Sequence, residues 1–264
     1  MTDLTYHVVD VFTDRAYAGN PLAVVLGADD LTTPQLAALA REFNLSETAF
    51  PMAGDDECDY RIRIFTPETE LPFAGHPSVG TAWLLASLGR IGHGRVVQRC
   101  GAGLLPLTVD ANGAELTGGT PTADAATNVA STGLPFVFAE VPEEEVATAT
   151  VGTAQRHEVE GTAGVAMFAW DPAARTSHAR VFAFGAGVPE DPATGSAATA
   201  FGAWLAAKGY VPADGETAYT VRQGAEIGRP STLYGTVVTR GGAAVEVRVA
   251  GGVVPVANGT IRVP

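Results

Sequence analysis

The chain has 264 residues, 46% of them hydrophobic and 17% charged, a balance that builds a buried core and places it among globular proteins. Its 16 Lys and Arg against 29 Asp and Glu give a formal net charge of −13, so the surface as a whole repels phosphate backbones and anionic membranes, and neither nucleic acid nor a membrane is an expected partner. The opening MTDLTYHVVDVFTD carries no basic and apolar targeting pattern, no apolar run approaches a membrane span, and Cys58 and Cys100 form neither a disulfide framework nor a metal motif with histidines, so a cytoplasmic location and no metal are expected.

Taken in chain order, β-rich apolar runs predict strands over Tyr6–Phe12 and Ala23–Leu26. A helix follows over Thr33–Phe43, entered through Thr32 or Thr33 with Pro34 in its first turn. A strand over Tyr60–Phe65 leads to a helix over Val79–Leu88, which Gly89 stops, and then to a strand over Leu104–Val109. Pro142–Ala149 reads as a helix, followed by strands over Gly164–Trp170 and Ala179–Phe184. The last helix, Thr199–Lys208, is stopped by Gly209, and strands over Tyr219–Arg222, Gly235–Thr239 and Ala244–Val249 close the chain. Strands predominate, and their order is not the regular alternation of a doubly wound fold.

An internal repeat organises this pattern. Gly75–Gly89 (GHPSVGTAWLLASLG) written over Gly195–Gly209 (GSAATAFGAWLAAKG) aligns Gly75 with Gly195, Leu85 with Leu205, Ala86 with Ala206 and Gly89 with Gly209. Upstream, Gly19-Asn20-Pro21 matches Gly133-Leu134-Pro135, each leading into an apolar strand. Repeats in the same order point to two domains of one design, with a boundary in the Gly/Thr-rich stretch Asn112 to Thr122.

Each repeat unit opens on a glycine turn followed by an apolar helix with no charge in its first turn. Backbone N–H groups at such a start lack intrahelical partners and sit at the positive end of the helix dipole, so they suit a carboxylate; the competing reading is that the glycines only permit tight turns. Near these turns lie Glu47 in NLSETAF, His76 in AGHPS, Asp191 in PEDPATGSA and Ser196 beyond it. Glu47 is flanked by Leu45, Ala49 and Phe50, and desolvation there would raise its pKa toward the range a general acid/base needs; otherwise it is a capping or solvated turn glutamate. His76 can donate to a substrate oxygen or relay a proton, against a purely structural role. Asp191 can hold a substrate amine or hydroxyl, or cap the turn before Pro192, and Ser196 can bond a carboxylate beside the Gly195 backbone. No Walker, zinc or nucleophile-elbow motif is present.

The blocks VDVFTDRAYAGNPLAVVL, NLSETAF, FTPETELPFAGHPSVGTA, GVPEDPATGSA and GAEIGRPS, with the terminal GGVVPVANGTI, resemble the phenazine-biosynthesis PhzF-like isomerases and epimerases from about Val9 to Ile261. The resemblance implies an α+β fold similar to diaminopimelate epimerase. It has two pseudo-symmetric domains, each a curled, mostly antiparallel sheet around a central helix, with the site in the cleft and the last strand returning to the first domain. Domains at residues 1–113 plus 252–264 and at 114–251 follow, and a homodimer is implied.

The activity implied is cofactor-independent isomerisation of trans-2,3-dihydro-3-hydroxyanthranilate, or a related proton shift or epimerisation on another small carboxylated substrate. The proton carrier of the family's SET motif falls on Glu47, its histidine on His76, its aspartate on Asp191 and its serine on Ser196. Gly75 and Gly195 then supply backbone donors, with Asn20, Pro77 and Ser78 around the substrate. Neither FAGHP nor PATGS holds a cysteine, so two-thiol racemisation is not expected. Ser78 stands where threonine is usual, and Ile227 is a second departure. A protein that keeps the cleft and binds a ligand without catalysis is the rival from another class.

Overall fold

The computed structural model describes residues 3–184 and 188–264; Met1, Thr2 and Gly187, which opens the GVPEDPATGSA block, lie outside them. The chain divides into two compact units, Met1–Leu116 with Gly251–Pro264, and Thr117–Ala250.

In the first unit β1 (Asp3–Val11) and β2 (Asn20–Leu26) pair antiparallel, and α1 (Thr33–Phe43) carries the chain to β3 (Glu47–Asp55), which lies parallel to β2. Next, β4 (Cys58–Phe65) returns antiparallel, and the short β5 (Glu70–Leu71) precedes α2 (Gly75–Ser87). After that helix β6 (Gly94–Cys100) lies parallel to β4, and β7 (Gly103–Val109) and β8 (Gly113–Thr117) follow antiparallel.

The second unit repeats this connectivity. β9 (Thr122–Asp124), β10 (Val129–Ser131) and β11 (Pro135–Glu140) pair antiparallel, and α3 (Glu143–Thr148) and α4 (Val151–Ala154) lead to β12 (Gly164–Asp171), parallel to β11. β13 (Thr176–Ala183) returns antiparallel, β14 (Val188–Asp191) precedes α5 (Gly195–Ala207), and β15 (Gly215–Gln223) lies parallel to β13. β16 (Ser231–Arg240) and β17 (Ala243–Arg262) follow antiparallel; β17 pairs with β16 in this unit and, from Val253 to Arg262, with β1 in the first. The repeat seen in the sequence therefore makes β2 equivalent to β11, α2 to α5 and β6 to β15.

The two central helices carry no charged residue and are buried over nearly their whole surface, as a helix apolar all round must be. α2 packs on β1, β2, β3, β6 and β7, and α5 on β9, β10, β11 and β16. Small residues permit this approach: a Cβ on Gly80 would lie 2.7 Å from Val11 and 2.8 Å from Leu22. Around α5 the core is aromatic, with Phe201 and Trp204 stacked at 5.8 Å and Phe168 edge-on to both at 4.8 and 5.0 Å. By contrast α1 is amphipathic: Leu36, Leu39 and Ala40 join Leu4, Val25, Phe50 and Phe65 in a separate cluster, while Arg41 and Glu42 face solvent.

α1 has the predicted limits, with Thr32 as N-cap. Both central helices begin four residues before the predicted Val79 and Thr199, because their glycine-rich first turns carry none of the apolar periodicity on which the prediction rested. The helix expected over Pro142–Ala149 is present as Glu143–Thr148 with those two residues as its caps, and a second short helix, not predicted, follows at Val151–Ala154. β17 runs 20 residues instead of the predicted six, because Gly251 and Gly252 mark close backbone contact and not a turn. A Cβ on Gly251 would meet the Phe12 ring at 2.2 Å, and Gly252 O accepts from Phe12 N at 2.7 Å.

Gly235 faces Tyr219 across the β15–β16 pair, and an added Cβ would fall 2.1 Å from the ring. The ring cannot swing away without breaking the 2.7 Å bond from Tyr219 OH to Ala198 O in α5. Gly235→Ala is therefore expected to cost roughly 1–3 kcal/mol by overpacking, read as a lower urea midpoint at unchanged slope.

Candidate active site

In the first unit the starts of two parallel strands and of one helix converge. Leu22 of β2 is the register partner of Glu47, the first residue of β3, and just upstream Ser46 Oγ donates to Asn20 Oδ1 at 3.3 Å. Glu47 thus opens a strand and is not the capping or solvated turn glutamate of the competing reading. Its Oε2 lies 3.7 Å from His76 Nε2, with the glutamate side chain 16% and the histidine 5% exposed. That oxygen is buried and makes no hydrogen bond among the described residues. Desolvation pushes the carboxyl up to about 7 from 4.5, opposed in part by the hydrogen bond from Ser46.

His76 occupies the second position of α2. The N-cap is Ala74, which has no side chain to cap the helix, and no acidic residue lies in the first turn. Pro77 supplies no N–H, so the donors of this turn are those of Gly75, His76 and Ser78, and Ser78 N is directed at Ala74 O at 3.3 Å. The Ser78 hydroxyl, expected near the substrate, is engaged inside the protein: Oγ donates to Ala74 O and accepts from Gln98 Nε2, each at 2.9 Å.

In the second unit Asp191 ends β14 and lies within a buried turn leading to α5. Thr194, the N-cap residue, does not cap the helix with its side chain; its Oγ1 donates to Asp191 Oδ2 at 2.6 Å. Gly195 is buried and Ser196 half-buried at the first two positions of α5, again with no acidic residue in the first turn. Each unit therefore presents an uncapped, charge-free helix start beside one carboxylate.

The phenazine biosynthesis-like protein family matches residues 9–120 and 110–259, together nearly the whole chain. The chain belongs to that family. It is 37% identical over 302 residues to an uncharacterized isomerase of Mesorhizobium japonicum, covering 99% of both chains. It is 32% identical over 277 residues to the trans-2,3-dihydro-3-hydroxyanthranilate isomerase of Pseudomonas chlororaphis, covering 97% of this chain and 98% of that one. The solved structure of a predicted epimerase from Pseudomonas aeruginosa superposes with a TM-score of 0.77 at 32% identity, over 98% of this chain and 99% of that one.

The chain is thus a PhzF-like isomerase with the α+β, diaminopimelate epimerase-like architecture expected. No helix among the described residues is long and apolar enough to cross a membrane, and no group of three His, Cys, Asp or Glu among them could hold a metal ion. Both cysteines are free; Cys58 lies in β4 and Cys100 ends β6.

Of the residues singled out in the sequence of this PhzF-like chain, Glu47 and His76 meet directly, and Asn20 joins them through Ser46. Asp191, Gly195 and Ser196 cluster in their own unit. Three participants were missed: Thr194, Gln223 and Gln98. Gln98 and Gln223 are buried polar residues inside strands, and an isolated amide in an apolar alternation was the only signal that could have marked them.

Proposed function

We propose that this enzyme transfers a proton between two carbons of a small carboxylated substrate of the trans-2,3-dihydro-3-hydroxyanthranilate type, with Glu47 as general acid and base. The observation that carries the reading is the buried Glu47 carboxyl, pushed up to about 7 and 3.7 Å from His76. Such a group takes and returns a proton near neutral pH at little cost in either direction. Glu47 as carboxylate removes a C–H proton, the electron pair delocalises into the substrate's conjugated system, and the Glu47 acid delivers the proton to another carbon. His76 donates to a substrate oxygen, Asp191 holds the amine or hydroxyl, and the N–H groups of the helix starts at Gly75 and Gly195, with Ser196, bind the carboxylate. Asn20, Pro77 and Ser78 shape the surroundings. The reaction needs no metal or organic cofactor, so EDTA treatment leaves the rate unchanged, and the working form is a homodimer, measurable by light scattering.

The test is proton NMR of the purified enzyme with trans-2,3-dihydro-3-hydroxyanthranilate in deuterated water, comparing wild type with Glu47→Gln. Isomerisation with deuterium uptake that depends on Glu47 supports the reading; an inert wild type sinks this substrate. Epimerisation is the second reading, favoured by the likeness to a predicted epimerase at 32% identity. Deuterium exchange at one carbon with the double bonds unmoved would select it.

The one hydroxyl proton of Ser46, also drawn by Asn20 Oδ1 at 3.3 Å, favours the ionised form of Glu47 when it turns to that carboxylate, opposing the desolvation that raises its pKa. Ser46→Ala removes it, so the base form appears at higher pH. The acidic limb of kcat/KM is expected to move upward by about 0.5–1 pH unit, a shift that a pH-rate profile resolves.

A further inference from the structure

The reaction proposed above leaves the GAEIGRPS block and the residue before it without a role. Gln223 ends β15, is 2% exposed, and uses its amide three times within one turn. Nε2 donates to Asp191 O at 2.7 Å and to Thr194 Oγ1 at 3.1 Å, while Oε1 accepts from Thr194 N at 3.3 Å. The pattern admits one orientation, since turning the amide over would set its NH2 against the Thr194 N–H. With a lone pair of Thr194 Oγ1 occupied by Gln223, the one hydroxyl proton goes to Asp191 Oδ2 at 2.6 Å. A threonine at an N-cap ordinarily spends its oxygen on the helix N–H groups; here it serves the aspartate and leaves α5 without a side-chain cap.

The main chain reinforces this arrangement. Gly224, at φ +79, brings β15 so close to the same turn that a Cβ would lie 2.5 Å from Pro192 O and 2.5 Å from Arg229 O. The equivalent strand of the first unit, β6, carries Gln98, which is 0% exposed, accepts from Tyr60 OH at 2.8 Å and donates to Ser78 Oγ at 2.9 Å in the first turn of α2. A buried glutamine thus stands behind each central-helix start. Only Gln223 reaches a carboxylate, through one hydroxyl.

We propose that Gln223 is a positioning residue that acts through Thr194 to fix the Asp191 carboxylate for substrate binding, an inference resting on the assignment of Asp191 to the substrate site. Orientation is what the chain supplies: a carboxylate on a short side chain at a strand end can rotate, and one charge-assisted hydrogen bond from a hydroxyl that is itself locked removes that freedom. An aspartate that holds substrate equally before and in the transition state acts on KM, so its misplacement reads there more than in kcat.

The test uses the full-length enzyme and trans-2,3-dihydro-3-hydroxyanthranilate, with Thr194→Val, Thr194→Ser, Gln223→Leu and the double variant Thr194→Val/Gln223→Leu. Loss of a hydrogen bond to a charged group predicts a rise in KM of about 10- to 100-fold for Thr194→Val and for Gln223→Leu, with kcat changed less than about threefold. Thr194→Ser, which keeps the hydroxyl, is expected within about threefold of wild type, and the double variant no worse than the poorer single one, because the two residues act in series. An unchanged KM in Thr194→Val, or a Thr194→Ser as impaired as Thr194→Val, overturns the proposal. A crystal structure of Gln223→Leu gives a readout free of turnover: a rotated Asp191 carboxylate is expected, and an unmoved one overturns the inference. Should the wild type be inert on this substrate, the proposed reaction fails while the crystal structure still decides the role of Gln223.

Discussion

Glu47→Gln is expected to lower kcat by about 10²- to 10⁴-fold while raising the folding stability at pH 8. The first effect follows from removing the group proposed to carry the proton, since a positioned acid or base contributes about that factor and the amide keeps the shape. The second follows from linkage. Folding raises the Glu47 pKa from 4.5 to about 7, so the folded state holds the proton more tightly than the unfolded chain. Below pH 4.5 the group is protonated in both states and costs nothing. Between pH 4.5 and about 7 the unfolded chain ionises first, stability falls, and above pH 7 the full cost of burying the charge remains. At about 1.4 kcal/mol per tenfold in proton affinity, that cost is at most roughly 3 kcal/mol, and glutamine does not bear it. Chemical denaturation of both proteins at pH 4 and pH 8 checks this: near-equal stability at the lower pH, with the variant more stable at the higher. An inactive variant destabilised at both would mean that unfolding, and not proton transfer, explains the loss.

The parts of this architecture that were legible in the sequence are those written in short-range pattern. The apolar stretches Val79–Leu88 and Thr199–Lys208 announced the two central helices, and the glycine turns before them announced first turns without charge. Glu47 was singled out in the sequence as a candidate acid/base with apolar neighbours, but the strand it opens was not predicted. Pro51 inside ETAFPMAGD argued against a strand, whereas β3 pairs with β2 only through Ala49, so beyond that point the missing N–H of proline breaks no ladder bond on that side. β6 was missed because GRVVQRC reads as polar until Gln98 is seen to be buried, whereas β11 is the apolar strand expected after Gly133-Leu134-Pro135, its opening proline tolerated as a first residue.

What could not be legible was pairing at a distance. Gln223 and Asp191 lie 32 residues apart, and they meet because β15 runs parallel to β13 in a register that puts Gln223 beside Ala179, while β14 sets Asp191 beside Val181. A one-residue slip of either strand would turn the glutamine to the other face. Likewise the hydroxyl of Ser78 is held by Ala74 O and by Gln98 from β6, a partner that only the folded sheet supplies.

The same register argument gives the largest expected loss of stability, at Arg180. This residue of β13 is 7% exposed and forks onto Glu190 of β14 through Nε–Oε1 at 2.8 Å and Nη2–Oε2 at 2.6 Å. Its Nη1 donates to Ala149 O, at the C-cap of α3, at 2.6 Å and lies near Ala147 O and near Val146 O, which also accepts from Ala149 N. Arg180→Leu removes every one of these bonds and leaves the Glu190 carboxylate, itself 12% exposed, without its counter-charge. Breaking a buried pair from one side costs about 3–5 kcal/mol, mostly the penalty of the stranded partner. Arg180→Leu/Glu190→Leu should therefore be more stable than Arg180→Leu alone, although both lack the arginine; the double variant still loses the donation to Ala149 O and stays below wild type. Urea denaturation of the three proteins checks the order, and a double variant less stable than the single would show that the arginine acts through packing and not through its pairing with Glu190. Because Glu190 immediately precedes Asp191, the ion pair also anchors the strand that carries the aspartate proposed to hold substrate, so the double variant, with its fold partly restored, should still show a raised KM.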